Sequence, residues 1–195
     1  MQPYTEQKFN IGTLEGISPK QLEVHLKLYA GYVKFLNTLF ETERELMKDS
    51  EKNAYALGEV HRRIGFEFDG MRMHEFYFSQ WENGAAPITT GGTLEAALAN
   101  QFGSYVAWET QFKAVGMMRG IGWTILYFDP KVGQFVNAWV GDHELGQLAG
   151  LPIILAMDMW EHAYMVDYTP AEKKNYIEAF FKNLNWSIIE NRFSS

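Results

Sequence analysis

Asp158-Met159-Trp160-Glu161-His162-Ala163-Tyr164 follows directly on a short apolar run, Leu151-Pro152-Ile153-Ile154-Leu155-Ala156-Met157. The run has the length and continuous apolarity of a buried strand. A carboxylate, Asp158, therefore stands where that strand ends, and an imidazole, His162, lies four positions further on. Upstream, Gly122 to Phe128 reads as another strand, Asp129 to Gly133 as a turn, and Gln134 to Val140 as the hairpin partner. Helical patterns close the chain from about Thr169 to Leu184 and again after Trp186.

The other half of the chain has a different texture. Leu22, Leu26, Tyr29, Tyr32, Val33, Leu36, Leu39 and Phe40 form a helical stripe, and Ser18-Pro19 supplies a cap and a first-turn proline. His25 lies on that stripe. The charged stretch from Glu41 to Lys52 reads as a polar connector. A second long helix is expected from about Asn53 to Trp81, with Leu57, Val60, Ile64, Phe68, Met71, Phe78 and Trp81 in register and His74 on their face. Two such helices joined by a polar connector predict an antiparallel hairpin. Asn83-Gly84, Pro87 and Gly91-Gly92 make Glu82 to Thr93 the clearest linker, and two short helices broken at Gly103 follow it.

Bulk properties narrow the function. The chain has 195 residues, 47% of them apolar and 21% charged, which describes an ordinary globular protein. A net charge of −7 leaves no basic stripe to displace phosphate counterions, so nucleic acid is not an expected partner. There are no cysteines, which excludes disulfides, thiolate metal sites and cysteine nucleophiles. Met1 to Phe9 holds no apolar secretory core and no run is long enough to span a bilayer. The expected location is the cytoplasm, with no membrane partner.

Of the five histidines, His25 and His74 each lie on the apolar face of a long helix, and His162 follows Asp158. A lone histidine on such a face is more often a hydrogen-bonded core residue than a ligand. His61, beside Arg62-Arg63, reads as part of an exposed helix face. Together, three imidazoles and a carboxylate would suit iron, manganese or zinc better than calcium or magnesium. On spacing alone the set also fits a zinc hydrolase or a mononuclear non-haem iron oxygenase.

The local sequences carry a resemblance. Asp158 to Tyr164 is similar at every position to the D-x-W-E-H-A-Y signature of the iron/manganese superoxide dismutases. Glu23-Val24-His25 with Gly31-Tyr32-Val33 resembles that family's first helix, and Met73-His74 with Phe76-Tyr77 its second. Phe102-Gly103-Ser104, Gly120-Ile121-Gly122-Trp123, Asn185-Trp186 and Arg192-Phe193 resemble further family segments, so the likeness spans nearly the whole chain.

The resemblance implies an α+β fold: an N-terminal antiparallel helical hairpin (1–86) and a C-terminal α/β domain with a three-stranded antiparallel sheet (87–195). It implies one iron or manganese ion per subunit, between the two parts, held by His25, His74, Asp158 and His162. It implies conversion of superoxide to dioxygen and hydrogen peroxide, with Tyr32 guarding the channel and Trp123 and Trp160 forming apolar walls. Glu161 and Tyr164 are expected at a two-fold interface, giving a homodimer, with a tetramer as the alternative.

Three departures are visible. The interval from His25 to Tyr32 is one residue shorter than in the family, which removes a helical bulge. Met73 replaces an asparagine. Relatives place a glutamine beside metal-bound solvent, whereas the helix position here is Gly70. Val140-Gly141-Asp142-His143 instead resembles relatives that use a histidine, which assigns that role to His143. Competing readings are a dismutase-fold protein whose metal is only structural, and the oxygenase, whose open coordination face a fourth protein ligand would partly fill.

Overall fold

A computed structural model describes residues 2–194. Ser18 caps α1 (Pro19–Leu46), its hydroxyl accepting from the Gln21 amide at 3.0 Å. The helix is α-helical throughout, and His25, Tyr29, Val33 and Leu36 form its buried seam. The expected connector from Glu41 to Lys52 is corrected in part. Glu41 to Leu46 continue α1, because Glu, Arg and Leu are good helix formers and this turn needs no buried face. The chain turns only through a short 3-10 segment at Met47–Asp49. Helix α2 (Ala54–Ser79) returns and packs along α1, which makes the hairpin.

After the linker come α3 (Thr93–Phe102), ended at Gly103, and α4 (Tyr105–Gly116). Strands β1 (Gly122–Asp129), β2 (Gln134–Gly141) and β3 (Ile153–Asp158) form one antiparallel sheet in the order β2-β1-β3. β1 is central, and nearly all of it is buried. Its register sets Trp123 opposite Val140 on one side and Asp158 on the other. Gly122 makes that entry feasible: its φ is +147°, and a Cβ there would lie 2.0 Å from the Val140 carbonyl oxygen. No L residue fits both conditions.

The edge of β3 is covered rather than left open. Gln80, at the end of α2, donates from Nε2 to the Ala156 carbonyl and accepts the Ala156 amide on Oε1, both at 2.8 Å. A single amide side chain thus occupies the ladder positions another strand would take, and ties the hairpin to the sheet. The expected helix from Thr169 resolves into a 3-10 turn at Pro170–Glu172 and α5 (Lys173–Lys182), with α6 (Trp186–Ser194) after it. The architecture is α+β, a helical N-terminal region followed by helices around a three-stranded antiparallel sheet. No helix among the described residues is long and apolar enough to cross a membrane.

Candidate metal centre

The α1 seam, the α2 seam and the end of β3 meet at one point. His25 Nε2 lies 3.0 Å from Asp158 Oδ2, His162 Nε2 3.1 Å and His74 Nε2 3.5 Å from the same oxygen. The four donor atoms all fall within 4.8 Å of one another, the one such group among the described residues. His25, His74 and Asp158 are buried, and His162 is partly so.

His74, Asp158 and the turn that carries His162 are held from behind. His74 Nδ1 meets the Gly70 carbonyl oxygen at 2.6 Å, so the ring carries its proton there and its Nε2 lone pair faces inward. Asp158 Oδ1 accepts the Trp160 amide at 2.8 Å, and the Asp158 carbonyl accepts the Tyr176 hydroxyl at 2.6 Å. Tyr176 is in turn bonded to Tyr77. Gln21 on α1 donates to the His162 carbonyl at 2.6 Å and accepts the Val166 amide, fixing the turn that carries His162.

The electrostatics call for a cation. His74 Nε2 is buried without a hydrogen-bond partner, facing a carboxylate oxygen. Burial, with His25 beside it, holds the His74 imidazole well below its ordinary pKa, so a proton does not fill the gap. His25 is lowered too, again mainly by burial. Burial alone would raise Asp158, but the charges and hydrogen bonds of His162 and His25 outweigh it and keep the carboxyl well below its usual range. Three imidazole nitrogens around an ionised carboxylate form a three-nitrogen, one-oxygen donor set. That set fits iron, manganese or zinc.

A second layer surrounds the group. Trp123 Nε1 donates to His143 Nδ1 at 3.0 Å, and His143 Nε2 sits 2.7 Å from the Tyr32 hydroxyl. His143 is fully buried, and that burial pushes its pKa down to about 4. Burial, followed by the Asp158 and Glu67 carboxylates, holds the Tyr32 phenol above its ordinary value. The Trp160 ring stacks on His143, with centroids 4.8 Å apart, and its Nε1 donates to the Asp142 carbonyl. The missing bulge in α1 does not displace Tyr32, because seven residues make two helical turns and leave it on the face of His25.

Glu161 is exposed on its turn, whereas Tyr164 is 4% exposed and stacks on Tyr176. His61 pairs with Glu43 at 2.7 Å on the helix surface, away from the other histidines. Phe66 was not singled out from sequence, yet its ring centroid lies 4.7 Å from that of His143. Its position eight residues before His74, on the same helix face, was the available signal. Gln21, Tyr77 and Tyr176 were also missed. Gln21 and Tyr176 act on backbone groups, and Tyr77 acts through the Tyr176 hydroxyl, contacts that leave no residue pattern.

Comparison with known proteins agrees with the geometry. The family described as iron/manganese superoxide dismutases, C-terminal domain, matches residues 90–192. An iron superoxide dismutase of Cupriavidus metallidurans is 34% identical over 185 residues, covering 93% of this chain and 91% of the relative. One from Sulfolobus acidocaldarius, also named for iron, is 30% identical over 97% of this chain and 92% of its own. A manganese superoxide dismutase of Mycolicibacterium smegmatis is 29% identical over the whole chain and 95% of the relative. With its helical region, its three-stranded sheet and its convergent histidines and aspartate, the chain belongs to the iron/manganese superoxide dismutase family.

Proposed function

We propose that this chain is a superoxide dismutase in which His25, His74, Asp158 and His162 hold one iron or manganese ion per subunit. The observation that carries this reading is His74 Nε2, buried without a partner and aimed at the carboxylate oxygen that His25 and His162 also approach. A bound iron or manganese would supply one-electron cycling, in which one superoxide is oxidised to dioxygen and a second, with two protons, is reduced to hydrogen peroxide. The chain's own residues then have three tasks: to fix the ligands, to manage protons and to limit water.

Proton management falls to His143 and Tyr32. An indole N–H can only donate, so Trp123 leaves the neutral His143 ring with its proton on Nε2. That proton is directed at the Tyr32 oxygen, and the Tyr32 hydroxyl hydrogen is thereby free to point toward an incoming superoxide. Trp123, Trp160 and Phe66 make the apolar walls. The site would lie between the helical hairpin of residues 1–86 and the α/β part of residues 87–195.

Partners follow from the same surface. Glu161 is exposed beside His162, and Met165 and Val166 shortly after it are 46% and 48% exposed. This supports a homodimer in which Glu161 reaches the partner's copy of His162, with Tyr164 bracing the segment from below. A tetramer is the alternative, and the cytoplasm the expected location. A superoxide assay on iron-loaded and manganese-loaded protein, with elemental analysis, tests the proposal. Turnover by at least one form supports it, and metal retained without turnover by either contradicts it.

A further inference from the structure

We infer that Gly70 is a positioning residue for Tyr32: the missing side chain on α2 creates the seat in which the phenol ring lies. A Cβ at Gly70 would fall 2.6 Å from Tyr32 Cδ1, 2.8 Å from Cε1 and 3.0 Å from Cγ. These are atoms at the root of the ring, not the tip of a flexible chain, so the clash cannot be relieved by a small rotation. Other rings crowd the phenol ring from further sides. Its centroid is 4.8 Å from His143, 5.1 Å from His74 and 6.2 Å from Phe66, and its hydroxyl is bonded to His143.

The other glycines of α2 supply the contrast. A Cβ at Gly58 or Gly65 would meet nothing within 4 Å, so neither is needed for space. Glycine inside a helix disfavours it relative to alanine, and at Gly70 a packing reason offsets that cost. Gly70 is also the residue whose carbonyl oxygen accepts the hydrogen bond from His74 Nδ1–H. One backbone position therefore seats the phenol and orients an imidazole of the candidate metal centre. The two groups cannot be moved independently.

This inference rests on Tyr32 facing the reactive site, and the test separates the two claims. Gly70→Ala is made in the natural protein and in Tyr32→Ala, with Gly65→Ala as a control. The holoprotein's melting temperature and its affinity for azide, read from the visible spectrum, are measured. We expect Gly70→Ala to lower the melting temperature by roughly 5 °C or more, as overpacking does. In the Tyr32→Ala background that loss should vanish, and Gly65→Ala should cost nothing. Azide affinity should change several-fold on Gly70→Ala and hardly at all when Tyr32 is already absent. Equal melting losses in both backgrounds, or an azide affinity untouched by Gly70→Ala, would overturn the inference. If Tyr32→Ala alone leaves azide binding unchanged, the reading of Tyr32 at the site falls, and this inference with it.

Discussion

Trp123 Nε1 donates to His143 Nδ1 at 3.0 Å, and that single bond decides which nitrogen of His143 carries its proton. Because the imidazole is buried and held neutral, it offers Tyr32 one N–H and nothing more.

Replacing His143 by Ala should leave metal content intact, shift the reduction potential and lower turnover by about a hundredfold. His143→Gln should recover much of the loss, since a carboxamide both accepts from Trp123 and donates to Tyr32. Potentiometry on the metal-loaded variants reads this. An unchanged potential in His143→Ala would remove His143 from its assigned role.

His74→Ala should lose the ion and the activity together. It takes away the nitrogen that faces Asp158 without a hydrogen bond and leaves an incomplete donor set. Elemental analysis after dialysis against a chelator measures it. Inactive protein with full metal content would mean a different ligand set.

Arg192 tests the frame that holds the site. Its guanidinium donates to Gln80 Oε1, the Ile154 and Phe76 carbonyls and the Ser79 hydroxyl, joining α6 to α2 and β3. Arg192→Met removes these charge-assisted bonds and should cost about 3 kcal/mol. That is a fall in melting temperature of roughly 6–12 °C. Calorimetry of the holoprotein checks it, and a change under a degree would show the bonds to be replaceable.

Asp69 gives stability a pH signature. Burial, then the nearby Glu144 carboxylate, pushes its carboxyl up from 3.8 to about 6. A raised value means the folded chain binds the proton more tightly. The group's stabilising contribution is therefore complete below pH 3.8 and is lost as the pH rises through about 6. Asp69→Asn should raise the melting temperature at pH 8 and change it little near pH 4. An equal effect at both would contradict the shift.

Much of this was legible in sequence, because helical periodicity reports which face a residue occupies. His25 and His74 stood on apolar stripes, and Asp158 and His162 adjoined a strand-like run. What was hidden depends on how elements approach in space. The closeness of Tyr32 to Gly70 is set by the packing of α1 on α2, and a glycine carries no mark of what lies over it. Phe66 reads as one more core aromatic until the loop bearing His143 folds against it. Glu41 to Leu46 looked like a connector because solvated helix turns and polar loops share their charged residues.

Anomalous diffraction from crystals of the metal-loaded protein decides whether the four side chains converge on one ion. One peak per chain is expected, within bonding distance of His25 Nε2, His74 Nε2, His162 Nε2 and Asp158 Oδ2. A peak that any of these four atoms fails to reach, or an ion bound elsewhere, would contradict that convergence.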